Sequence, residues 1–298
     1  MSLKKYIYIG SAIILVFLVL LSWFFSSKII RPDYKCNEKH HIFCGGPEER
    51  GLQYSDVKIE TDDGLKLKAW YLESAGSKKA ILQLHGHGAT LHEGLKYTPL
   101  FLKLGFNVLH LEFRGNSNIP GHNYYTMGAL EKIDVKAAVD FLVDVKENKK
   151  IGIYGFSMGA VAGALHMAKD PRVGAGVFNS PFVNVSEQIS SSAKRRFGIP
   201  YFPLVPLSIM FANIRTNSNM FEVDVEESLS KISPRPVFII HSKGDHRVPI
   251  AFGERNYEAA GNPKQKWFPD FDNHVHEWNF DSKKSEELTG NFFSRWLE

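Results

Sequence analysis

The stretch KIGIYGFSMGAVAG, Lys150–Gly163, carries Gly155-Phe156-Ser157-Met158-Gly159 at its centre. A Gly-x-Ser-x-Gly pattern arises by accident in chains with many glycines and serines, so the flanks decide how it is read. Upstream, Ile151–Phe156 is a continuous apolar run of strand length; downstream, Ala160–Lys169 is rich in small residues and long enough for a helix. A buried strand, a sharp turn with glycines on both sides of the serine, and a departing helix are the context a nucleophile elbow needs. In such a turn the serine hydroxyl projects above the sheet. The following amide, here that of Met158, points to where an oxyanion would develop.

Working outward, apolar runs of the same kind recur at AILQLH (80–85), NVLHLEF (107–113), VGAGVFNS (173–180) and PVFIIHS (236–242). Val57–Glu60 and Leu65–Leu72 read as a hairpin closed by Thr61-Asp62-Asp63-Gly64. Between the runs lie segments of helical length. Gly128–Val145 is the clearest: Leu130, Ile133, Ala137, Phe141, Leu142 and Val145 recur at three- and four-residue spacing. Continuous strands alternating with helices predict an α/β fold with a mostly parallel sheet covered on both faces and an antiparallel hairpin at one edge. Residues 183–227 interrupt that rhythm with an insertion far longer than an ordinary connection. Its segment FGIPYFPLVPLSIMFANI (197–214) is apolar but broken by Pro200, Pro203 and Pro206, which argues against a membrane span. A cap lining a pocket for an acyl or alkyl group and ordinary helices packed on the core are both open readings.

A serine hydroxyl attacks only when a base takes its proton, so an acid and a histidine are required downstream. Asp245 follows the strand PVFIIHS in the loop HSKGDHRVP, at the carboxyl edge where α/β active sites form. His274 and His276 both lie in WFPDFDNHVHEW, between a last strand near Gln265–Phe268 and the C-terminal helix. Location alone leaves the two histidines tied.

These motifs together resemble an α/β-hydrolase over residues 51–298, similar to a membrane-anchored or secreted subgroup related to the serine aminopeptidases. DVKIETDDGLKLKAWYL resembles the opening hairpin of that family, ILQLHGHG its oxyanion-hole strand, LEFRGNS its Asp-x-Arg-Gly segment, YGFSMGA its elbow and GDHRVP its acid loop. The resemblance implies Ser157 as nucleophile, Asp245 as the carboxylate that orients the histidine, and His274 as base, with His276 as the alternative. It further implies backbone N–H groups of His87 and Met158 as the oxyanion hole. Glu112 stands where the family has aspartate, Ser242 where it often has glycine, and Asn273 where glycine precedes the base. His85 and Arg114 read as scaffold residues, and Glu131 and Asp134 as first-turn acids that favour a helix dipole. The implied chemistry is two-step acyl transfer on a small or lipid-like acyl substrate, with no metal and no organic cofactor. A peptidase and a catalytically silent binding protein are the rival expectations.

At the amino terminus, residues 6–27 contain no charged side chain over twenty-two positions. As a helix they rise about 33 Å, enough for a hydrocarbon core of about 30 Å. The run ends in Trp23, Phe24 and Phe25, where cleavage of a signal peptide needs small residues, so an uncleaved anchor is expected, with 1–5 as a tail and 28–50 as a stalk. Lys28, Arg31, Lys35 and Lys39 after the span favour a cytoplasmic domain, whereas the layout of a short anchor before a large domain favours an extracytoplasmic one, the reading adopted. Cys36 and Cys44 suit a disulfide in an oxidising compartment, two unrelated cysteines or, with His40 and His41, a zinc site. The first fifty residues carry seven Lys/Arg against four Asp/Glu, which leaves the remainder nearly balanced and excludes an electrostatic case for a nucleic-acid partner.

Overall fold

Strand period explains the layers. Ile81, Tyr154, Phe156, Val177 and Phe238 point into one apolar cluster, while their neighbours Leu82, Ile153, Phe178, Val237 and Ile239 point into the other. Side chains alternate across a strand, so a sheet buried on both faces has to be apolar at consecutive positions. The computed structural model describes residues 3–31, 45–116 and 122–298. The cysteines and histidines at 36, 40, 41 and 44, with their disulfide or zinc reading, lie outside the described residues.

In chain order the strands are β1 (Ser55–Glu60), β2 (Lys66–Leu72), β3 (Lys79–Leu84), β4 (Asn107–Leu111), β5 (Lys150–Phe156), β6 (Val173–Asn179), β7 (Val237–Ile240) and β8 (Lys264–Trp267). They form one sheet in the order β1-β2-β4-β3-β5-β6-β7-β8. The hairpin β1–β2 and the β2–β4 pair are antiparallel, and every other neighbour is parallel. The helices are α1 (Leu3–Ile30), α2 (Thr98–Lys103), α3 (Glu131–Asp140), α4 (Met158–Met167), α5 (Val185–Phe197), α6 (Leu204–Thr216), α7 (Val225–Ser230), α8 (Ile250–Ala259), α9 (Glu277–Phe280) and α10 (Ser282–Trp296). Parallel strands need crossovers, and α2–α8 supply them.

The helix expected over Gly128–Val145 is shorter at both ends. Its α-helical part is α3, followed by a π-helical turn at Phe141–Val145, and Met127 and Gly128 before it adopt positive φ. Glu131 and Asp134 need a larger role than first-turn acids, because both are fully buried. Glu131 accepts from the amides of Thr126 and Gly128 and from the Thr126 hydroxyl, closing the turn that starts the helix. Asp134 accepts from Nε and Nη2 of the buried Arg114 and from its amide, while Asp63 of the β1–β2 turn takes Nη1 and Nη2. Arg114 thus pins the hairpin and α3 to the loop after β4, and the paired carboxylates push its pKa upward against the effect of burial.

Helix α1 divides into two parts. Most side chains between Tyr6 and Leu20 are exposed, and its most apolar window has a mean hydropathy of 2.5 with 6% of it buried, so it is not a core helix. It is long and apolar enough to cross a membrane. From Ser22 onward the helix packs on the body: Ser22, Ser26, Ile29 and Ile30 are buried, and the helix runs on past the uncharged stretch 6–27 to Ile30. Trp23 meets the edge of Phe211 on α6, and Arg215 lies over the Trp23 ring while donating to the hydroxyls of Ser26 and Ser27.

Candidate active site

The turn from β5 into α4 places Ser157 at φ 50°, ψ −115°. A non-glycine residue there is strained, and the turn holds because its surroundings over-determine it. The Ser157 amide donates to the Asn179 carbonyl (2.7 Å), and its carbonyl accepts from Val161 (3.1 Å). A Cβ on Gly155 would come within 2.6 Å of Ala160, and one on Gly159 within 2.3 Å of the Leu84 carbonyl oxygen. Both glycines are therefore required for α4 to pack this close to the sheet. Gly159→Ala is expected to destabilise the fold by at least about 2 kcal/mol, read as a lowered denaturant midpoint with unchanged slope.

Asp245 sits in the loop after β7. Its Oδ1 accepts from the amides of Arg247 and Val248 (2.8 and 2.9 Å), and its Oδ2 accepts from Nδ1 of His274 at 2.6 Å. Burial raises the Asp245 carboxyl, but His274, His241 and the Val248 amide outweigh it and hold the pKa below the usual value. A carboxylate only accepts, so Nδ1 of His274 carries a proton and the unprotonated position of the neutral ring is Nε2. The two loops are laced together: Lys243 and Gly244 donate backbone bonds to Pro269 and Phe271, and the Ser242 hydroxyl reaches the carbonyls of Phe271 and Asn273. Ser242, a departure from the family pattern, thus ties the loop of Asp245 to the loop of His274. Val275 follows His274 at φ 54°, a costly conformation for a β-branched residue, and its carbonyl accepts from the buried Lys96.

His276 is placed elsewhere. It caps α9, its ring faces Asn273, and it is absent from the cavity that Ser157 and His274 line together. No hydrogen bond joins Ser157 to His274 among the described residues; catalytic hydrogen bonds are often long before substrate binds. His241, which sequence reasoning missed, is buried beside the acid: Nε2 donates to the Val248 carbonyl and lies 3.5 Å from Asp245 Oδ2. Its one signal was its position four residues before Asp245.

The opposite wall of the site is the loop after β3. His85 accepts from the Phe113 amide at Nε2 and donates from Nδ1 to the Gly86 carbonyl, and burial lowers its pKa to about 4. Its neutral Nδ1–H tautomer is thereby fixed, as suits a scaffold residue. The Gly86 amide is taken by Glu93 (2.6 Å), whereas the His87 and Met158 amides are engaged by no other group among the described residues. His87 donates from Nε2 to the carbonyl of Ile29 at the end of α1 (2.9 Å), and its enclosed setting lowers its pKa to about 4. Sequence reasoning missed this tie between the first helix and the loop of the site.

Glu112 braces the same loop through the Leu91 amide and Asn116. Burial raises its pKa from 4.5 to about 7. The folded protein thus keeps a proton that the unfolded chain releases near pH 4.5, so this group's contribution to stability falls as pH rises from 4.5 to 7. Glu112→Gln keeps the acceptor without the charge. It should gain on the order of 2–3 kcal/mol over the wild type between pH 5 and pH 8, measured by denaturant unfolding at each pH.

A cavity of about 670 Å³ opens over Ser157 and His274. The inserted helices α5 and α6 form its roof through Ile189, Ala193, Leu204 and Val205, with Phe182 beneath. No cluster suited to a metal ion occurs among the described residues.

Residues 75–218 match the family model described as serine aminopeptidase, S33. YqkD, an uncharacterized protein of Bacillus subtilis, is 30% identical over 215 residues, covering 71% of this chain and 70% of that protein. The chain is an α/β-hydrolase. The esterase Pf2001 of Pyrococcus furiosus shares this hydrolase's architecture with a TM-score of 0.71 and 26% identity, covering 90% of this chain and 100% of its own. The uncharacterized membrane protein YNL320W of Saccharomyces cerevisiae is 24% identical over 147 residues, covering 48% of this hydrolase and 50% of that protein.

Proposed function

We propose that this α/β-hydrolase is a membrane-anchored serine hydrolase of carboxylic esters or thioesters. One observation supports the reading above all. His274, hydrogen-bonded to Asp245, lines one cavity together with a serine held at positive φ in the elbow. In the proposed mechanism Nε2 of His274 takes the Ser157 proton as Oγ attacks the acyl carbon. The amides of His87 and Met158, together with the amino end of α4, stabilise the oxyanion. His274 then protonates the leaving group, and water repeats the sequence on the acyl-enzyme. Asp245 holds the tautomer and balances the imidazolium.

The cavity's charges favour acyl esters over free peptides. An aminopeptidase needs an anion to receive the substrate's ammonium group. Glu93 is the acidic residue among the lining groups and is bound to the Gly86 amide, while Lys28, Arg195, Arg196 and Arg247 border the same space. The purified full-length chain should hydrolyse p-nitrophenyl acyl esters and acyl thioesters at least about a hundredfold faster in kcat/KM than aminoacyl p-nitroanilides. The reverse order would establish the peptidase instead.

The anchor reading places α1 across the bilayer, with the hydrolase domain on the extracytoplasmic side. Protease added to intact cells should then cleave the domain, and protection until lysis would reverse the orientation.

A further inference from the structure

The cavity over Ser157 is walled in part by the apolar N-terminal helix. Phe24, Phe25 and Ile29 of α1 line it together with Phe197, Leu204 and Val205 of the insertion, and Phe25 meets the edge of Phe197 at 5.5 Å. From Lys4 to Phe17 nearly every residue is exposed, a rise of roughly 21 Å, and Val19 and Leu20 extend that exposed face toward the body, most of one hydrocarbon thickness. With α1 spanning a bilayer, the mouth of the cavity therefore lies at the membrane surface. The parts of the insertion that pack on α1 are built for that level. Phe197, Tyr201, Phe202, Met210 and Ile214 all expose large apolar side chains, costly in water and favourable at a headgroup interface.

Charge narrows the occupant further. Lys28 at the end of α1 and Arg195 and Arg196 in the last turn of α5 border the cavity, and Arg195 is steadied by the Arg247 carbonyl at 3.4 Å. Cations at a membrane surface attract anionic lipids, and guanidinium groups match phosphate oxygens in geometry. The tie from His87 to the Ile29 carbonyl fixes the anchor's end to the loop that would stabilise the oxyanion.

We propose that the substrate is an acyl-ester lipid with an anionic, phosphate-bearing headgroup, drawn sideways from the bilayer that α1 crosses. The proposal rests on the serine-hydrolase reading. Its acyl chain lies between α1 and the insertion, its phosphate meets Arg195 and Arg196, and its ester carbonyl reaches Ser157. The Ser157 Oγ–acyl bond forms as the acyl–oxygen bond of the lipid breaks. His274 passes the serine's proton to the departing alcohol oxygen, and water then releases the fatty acid.

The test uses the full-length chain reconstituted into vesicles of phosphatidylcholine alone and of phosphatidylcholine mixed with phosphatidylglycerol. Fatty-acid release from each lipid is followed beside hydrolysis of p-nitrophenyl butyrate, with Ser157→Ala as the blank. The expected result is Ser157-dependent release from phosphatidylglycerol at least about tenfold faster than from phosphatidylcholine, a preference that Arg195→Gln with Arg196→Gln abolishes. Butyrate hydrolysis without lipid turnover, or equal turnover of both lipids, overturns the proposal and leaves the hydrolase reading standing. A preference that survives the double substitution overturns the assignment of the phosphate site. Absence of Ser157-dependent hydrolysis of every substrate overturns the hydrolase reading and the proposal with it. The comparison of lipids in the wild type stands even where the double variant does not fold.

Discussion

Ser157→Ala should lower kcat/KM on a short-chain p-nitrophenyl ester by at least about 10⁴-fold, roughly 5.5 kcal/mol of lost transition-state stabilisation. The size of the effect follows from the proposed role: without Oγ there would be no acyl-enzyme, and what would remain is binding and polarisation of the carbonyl by the His87 and Met158 amides. The fold should be retained. The elbow is held by backbone bonds to Asn179 and Val161 and by the close approach of Gly155 and Gly159, none of which involves the serine hydroxyl. Alanine pays a strain at φ 50° similar to that of serine, so the thermal midpoint should shift by only a few degrees. Kinetics and thermal unfolding on the same preparation separate lost chemistry from lost structure.

The second large effect distinguishes the two histidines. His274→Ala should cost on the order of 10⁴-fold in kcat, whereas His276→Ala should stay within about tenfold. His274 holds the 2.6 Å bond to Asp245 and lines the cavity with Ser157, while His276 faces Asn273 at the start of α9. On the proposed mechanism, removing His274 takes away the base; it also leaves Asp245 buried without its main partner, so some stability is lost as well. The test is kcat for each variant above pH 8, where any weak base that replaces imidazole works best. A loss at His276 comparable with that at His274 would reassign the base.

Much of the fold was legible in the sequence because its signals were local. Runs such as KIGIYGF and PVFIIHS are apolar at consecutive positions, as a sheet covered on both faces requires, and the elbow's glycines announce a close backbone approach. Asp245 was legible from its place after a strand. What escaped notice depends on partners distant in sequence. Glu131 and Asp134 look like helix acids until Thr126 and Arg114 are seen turned toward them. The π-helical turn after α3 leaves the apolar spacing almost unchanged, so periodicity could not mark it. The seating of the end of α1 was not legible, because hydropathy reports what the helix is made of, and not that Ser22, Ser26 and Ile29 are buried with Arg215 of the insertion bonded to Ser26. His274 and His276 sit two residues apart in a loop without periodicity, and only the approach of Asp245 tells them apart.

As the activated nucleophile proposed above, Ser157 should react with a fluorophosphonate probe. Incubated with the full-length protein, the probe should label close to one site per chain, on the peptide that contains Ser157, and Ser157→Ala should take up none. Labelling that persists in the variant, or a wild type that turns over esters while inert to the probe, would contradict that role.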